Sequence, residues 1–112
     1  MTTEIKESDW KVLRRVHPLA VERFCERVLG EIERLLHDSA QGLHERYLRI
    51  YKLMEQRDRE MARLFNDPRR SRALTMITQF RAEGLMTDEE FVNLTDGTRH
   101  IIETLVRGRQ SP

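Results

Sequence analysis

The chain has 112 residues, 38% hydrophobic and 35% charged, and its 20 Lys plus Arg against 19 Asp plus Glu leave a net charge of +1. That length suits a single helical domain over 1–112 and excludes two independent cores. Five Gly and three Pro are too few to turn a β-sandwich or barrel, and the mean hydropathy of −0.66 comes with no apolar run long enough to span a membrane.

A first helix is expected from Ser8, a good N-cap, with Asp9 in the first turn facing the positive end of the helix dipole. Trp10, Leu13, His17, Ala20, Phe24, Val28, Ile32 and Leu35 then recur at helical spacing. Val12, Val16, Leu19, Leu29 and Leu36 widen the apolar face. Pro18 lacks a backbone donor and disfavours helical geometry at His17, so the helix should kink or briefly break near Pro18. The segment Asp38-Ser39-Ala40-Gln41-Gly42 reads as a loop. A second long helix follows from about Leu43 to Phe65, striped by Leu43, Tyr47, Ile50, Tyr51, Met54, Met61, Leu64 and Phe65. Two long helices joined so briefly should form an antiparallel hairpin.

Asn66-Asp67-Pro68 reads as a stop and restart, with Asp67 as N-cap and Pro68 at the first helical position. The third helix runs to about Glu83, turns Leu74, Ile77 and Phe80 inward, and ends at Gly84. Thr87-Asp88-Glu89-Glu90 is a capping box that opens a short fourth helix with Phe91 and Leu94. A last helix starts near Thr95 or Asp96, carries Ile101, Ile102, Leu105 and Val106, and is expected to stop at Gly108. The ends, 1–7 and 109–112, are expected to fray. The fold class is therefore all-α: a long hairpin packed with three shorter C-terminal helices.

Chemistry is sparse. A carboxylate-bridged di-iron bundle places Glu three residues before His, whereas Arg14, Arg34, Gln41 and Gly97 occupy those positions here. Glu33 with His37 and His44 is the nearest approach to a metal set, and His37 at a helix end reads more simply as a partner of the dipole. Cys25 lies mid-helix beside Phe24, where a thiol usually fills space. As the only cysteine it excludes an intrachain disulfide framework, and with the polar start Met1 to Lys11 it points to a cytoplasmic protein. No P-loop, GxGxxG or GxSxG occurs. No catalytic, cofactor-binding or metal-binding residue is assigned, and an enzyme is not expected.

The stretch from Leu74 to Phe80, followed by Glu83-Gly84-Leu85-Met86-Thr87-Asp88-Glu89-Glu90-Phe91, resembles the helix, G-L-[IM]-T-x-E-E-F, helix pattern of short C-terminal modules of the SHOCT type. The resemblance covers about twenty residues and implies a role in interaction or oligomerisation. The basic run expected after such a pattern is missing after Phe91. The third and fourth helices also have the order of a helix-turn-helix, but Asp88, Glu89 and Glu90 would bring three carboxylates to the phosphates.

Three sets of residues stand out as candidates for interaction. Arg69, Arg70 and Arg72 cluster in the expected first turn of the third helix, where the dipole disfavours cations. They are either solvated and paired, for example with Asp67, or aimed at an anion. Arg57 and Asp58 interrupt the second stripe. Asp58 is expected to meet a basic or hydroxyl partner on the first helix, with Arg23 and Arg27 as candidates, or on a second subunit, the alternative being that the helix turns both residues to solvent. The first helix should extend about 40 Å at 1.5 Å per residue, more than three short helices can cover. The stripe around Trp10, Leu13, Val16 and Leu19 is thus expected to meet a protein partner or a second copy in a homodimer. The function expected is a non-enzymatic helical interaction module of regulatory or adaptor type. The alternative is an RNA- or nucleic-acid-associated accessory protein using the arginine patch, which the near-neutral charge makes the weaker reading.

Overall fold

The structure, a computed structural model, describes residues 5–110. Those residues form five α-helices and no strand: α1 (Glu7–Leu36), α2 (Leu43–Phe65), α3 (Ala73–Ala82), α4 (Asp88–Phe91) and α5 (Asp96–Gln110). The apolar stripe of α1 keeps its phase through Pro18, and the helix runs on without a break because the proline ring lies on the exposed side. α1 and α2 pack against each other with contacts in opposite order, from Leu36 with Arg46, through Glu31 with Arg57, to His17 with Phe65.

The shorter helices gather at one end of this pair. The buried residues of α1 are Asp9, Val12, Leu13, Val16, Ala20, Phe24 and Val28, and those of α2 are only Leu64 and Phe65. Phe65 is the aromatic hinge of the core, with ring centroids 5.6 Å from Phe24 and 5.5 Å from Phe80. His17 donates from Nε2 to the Phe65 carbonyl at 3.0 Å, satisfying a group that the end of α2 leaves open. The molecule is long, 53 × 29 × 27 Å. Its radius of gyration is 16.9 Å, against about 13 Å for a compact chain of this length.

Several boundaries differ from the sequence expectation. Ser8 is not an N-cap: α1 starts at Glu7, the capping position is Lys6, and no side chain caps it. The start lies earlier because Ile5 is buried in the core and pins the chain before the helix. Of the expected frayed end 1–7, Glu7 opens α1 and Ile5 is buried, and 1–4 lie outside the described residues. Asp67 is not the cap of α3 but sits at φ 58°, in the left-handed region. Pro68 accordingly starts no helix; a 3₁₀ turn, Arg70–Arg72, intervenes and α3 begins at Ala73. α5 passes through Gly108 to Gln110, because Gly108 does not take the left-handed conformation that would end it. Of the expected frayed end 109–112, 109 and 110 belong to α5, and 111–112 lie outside the described residues.

The other punctuation is as the sequence reads. Gly84 takes φ 69° and closes α3, with Leu85 N donating to Phe80 O at 2.7 Å. Thr87 and Glu90 form the reciprocal capping box of α4.

Candidate functional site

Asp9 is the most consequential polar group that sequence reading assigned too small a role. Fully buried, it accepts from the Thr95 amide at 2.8 Å, the Thr95 hydroxyl at 2.8 Å and the Thr98 hydroxyl at 2.7 Å. Its carboxylate thus caps α5 from another helix, where unpaired amides and the positive dipole end favour an anion. The capping box has a second use as well. Glu90 takes a two-pronged ion pair from Arg23, 2.7 and 2.8 Å, and Arg23 also donates to Leu85 O. The hydrogen bond from Arg23 holds the Glu90 carboxyl below its ordinary range against the opposing effect of burial, and the same contact raises Arg23. Arg27 donates to Glu83 O and Gly84 O, and the Arg81 guanidinium lies 4.3 Å above the Phe91 ring. These groups are spent on joining the short helices to α1.

The arginine cluster is also spent. Arg69 pairs with Asp67 at 2.7 Å, Arg70 pairs with Glu7, and Arg72 donates to Asn66 O and Asp67 O. Arg69 and Arg70 lie in the loop and 3₁₀ turn before α3 rather than in its first turn, while Arg72 stands at the N-cap of α3. Arg72 in particular clamps the left-handed turn at Asp67. The expected pairing of Asp58 with Arg23 or Arg27 is overturned, because both arginines reach the α3–α4 connection and Asp58 is exposed. Arg57 is the seam residue instead. It donates to Glu31 of α1 at 2.9 and 3.1 Å and to Glu60 at 2.8 Å. That hydrogen bond lowers the Glu31 carboxyl and raises Arg57.

The open apolar surface is not where the sequence expectation put it. Leu13 and Val16 are buried beneath the short helices and Trp10 is half-buried against the same core, so only Leu19 of that group is exposed. The uncovered surface lies at the opposite end of the α1–α2 pair, on Leu29 (64% exposed), Leu43 (78%), Tyr47 (66%), Tyr51 (57%) and Met54 (46%). A groove of about 220 Å³ lies between the two helices, with Cys25, Leu29 and Ile32 on one side and Met54 and Met61 on the other. Asp58 stands on its edge. Cys25, Leu29, Ile32 and Leu36 share one helical face, as do Leu43, Tyr47, Ile50, Met54 and Met61, so the apolar strip continues from the groove toward the loop. Cys25 is therefore half-buried in an open groove rather than a filler of the core.

The two faces of this end differ in charge. The face opposite the groove carries Arg34, Arg49 and Lys52, together with Glu31 and Gln56, around Leu35 and Leu53. On the groove side the exposed flanks are Glu22, Glu26 and Glu33 of α1 and Glu55 and Asp58 of α2, none of which makes a hydrogen bond or ion pair. Among the described residues no three His, Cys, Asp or Glu side chains gather as a metal site, and no helix is long and apolar enough to cross a membrane. No protein-family model, curated protein or solved structure matches the chain significantly.

Proposed function

We propose that the protein is a non-catalytic helical interaction module that docks a partner protein in the groove at the free end of the α1–α2 pair. The observation that carries this reading is the contiguous apolar strip itself. Leu29, Leu36, Leu43, Tyr47, Tyr51 and Met54 are all exposed on that end, although the same chain buries Leu13, Leu64, Ile77 and Ile102 almost completely at the other. Soluble proteins rarely leave so continuous an apolar surface in water unless something covers it. Two methionines in the groove add a lining that adapts to an occupant's shape. The arginine patch supports the nucleic-acid alternative poorly, since all three side chains already hold local partners.

Crosslinking in host-cell extract tests the reading. A photoreactive group at Tyr47 or Leu36 should yield a defined protein adduct, and Leu29→Asn with Tyr51→Asn should remove it. Adducts that persist in the double variant, or that form only from the α5 face, would refute it.

A further inference from the structure

The geometry points to a basic amphipathic helix as the occupant of the groove, an inference that rests on the interaction-module reading and specifies its partner. The first reason is charge. Glu22, Glu26, Glu33, Glu55 and Asp58 flank the apolar strip, exposed and unpaired. Of the nearby cations, Arg23 and Arg27 reach the α3–α4 connection, Arg34, Arg49 and Lys52 lie on the opposite face, and Arg57, which lines the groove, is held by two carboxylates, Glu31 and Glu60. On α2 Asp58 is the carboxylate at the groove itself, and Glu55 lies on the outer side with Arg59 one turn on from it. In a chain of net charge +1, this leaves an apolar floor with a carboxylate rim on both sides. Lysines or arginines flanking an apolar stripe complement it, and that arrangement steers encounter and sets orientation.

The second reason is shape. The groove lies between two antiparallel helices and takes Met54 and Met61 from α2. The apolar face of α2 continues from it to Leu43, so that the strip from Leu43 to Met61 runs about 27 Å at 1.5 Å per residue, the length of a helix of roughly five turns. Helices dock in such grooves through side chains spaced i, i+3, i+4 and i+7. A second copy fits less well. Groove against groove sets carboxylates against carboxylates, and the opposite face brings cations but only the half-buried Leu35 and Leu53 to fill an apolar floor.

The test uses the full chain and two synthetic helical peptides of about eighteen residues. Both carry leucines at i, i+3, i+4 and i+7; one has lysines and the other glutamates on the flanks. Titration by calorimetry at physiological salt should give micromolar binding of the lysine peptide and none of the glutamate peptide. Glu22→Gln, Glu26→Gln and Glu33→Gln together should weaken the lysine peptide by about tenfold or more, and added salt should do the same. Leu29→Asn with Met54→Asn should abolish binding while the circular dichroism melt stays unchanged. Equal binding of both peptides would overturn the basic-helix inference and leave the groove reading standing. Lysine-peptide binding indifferent to Leu29→Asn with Met54→Asn would overturn both readings. So would a failure of both peptides to bind a monomeric protein. A dimer dissolved by Leu29→Asn would overturn this inference by making a second copy the occupant.

Discussion

The two ends of the α1–α2 pair are built from the same amphipathic helices and end in opposite conditions. The end that carries α3, α4 and α5 holds the buried core, with Leu19, Val92, Ile101 and Leu105 left at its surface and Gln79 Oε1 buried without a partner. Several polar groups there are committed: Asp9 to Thr95 and Thr98, Arg23 to Glu90, and His17 to Phe65 O. At the free end Leu29, Tyr47 and Tyr51 face solvent, and while Glu45 pairs with Arg49 and Glu31 with Arg57, the side chains of Glu26, Glu33, Glu55 and Asp58 hold no partner. The difference teaches that exposure here is local. A chain able to satisfy a fully buried carboxylate with three donors has left one continuous apolar strip uncovered, which is why that strip carries the functional reading.

The largest effect should come from the covered end. Asp9→Ala removes the acceptor of three hydrogen bonds and the cap of α5, so it should cost about 2–4 kcal/mol in urea unfolding. A loss below about 1 kcal/mol would show that α5 is not held by Asp9.

Glu90→Ala comes next, because it removes both the Arg23 pair and half of the capping box, and should cost about 2–3 kcal/mol. This site also makes the protein sensitive to acid. The carboxyls of Glu90 and Glu31 are held below the ordinary glutamate value of 4.5. Their contribution is therefore complete above that value and is lost as pH falls through the lower values of the folded state. Unfolding free energy measured between pH 6 and pH 3 should fall, and Glu90→Gln should flatten the fall. A curve unchanged by that substitution would separate Glu90 from the acid response.

Smaller effects mark the passage between the two ends. Arg57→Ala should cost about 1–2 kcal/mol, because it leaves the half-buried Glu31 without its partner. Asp58→Ala, its neighbour on the groove edge, should change stability by less than about 0.5 kcal/mol. A large effect at Asp58 would mean that an occupant or second copy already covers the groove in the isolated protein. Leu29→Asn and Tyr51→Asn should be the mildest, within about 0.5 kcal/mol by thermal melting. Destabilisation well above that would place these residues in a core and remove the contrast between the ends.

The helices were legible in the residues because their causes are local. The 3.6-residue apolar recurrence defines α1 and α2, the capping box at Thr87 and Glu90 opens α4, and the left-handed Gly84 closes α3. The bounds Leu43 and Phe65 followed from pattern alone. The acidic rim was legible as well, since Glu22, Glu26 and Glu33 recur beside Cys25, Leu29 and Leu36 at one-turn offsets. That signal identifies a site only once it is known which part of the stripe stays uncovered.

Tertiary structure alone decided which end of the long pair the short helices cover, and that choice relocated the open surface from Leu13 and Val16 to Leu29 and Tyr51. It also chose the partners of charged groups. Asp9 and Thr95 are 86 positions apart and Arg23 and Glu90 are 67 apart. Arg57, rather than Asp58, turned inward because Glu31 lay within reach across the seam. Periodicity places a side chain on a face of its own helix, but burial and pairing are properties of what another helix brings against that face. The sequence therefore determined the helices and their apolar sides, and only packing determined which of those sides remained open for a partner.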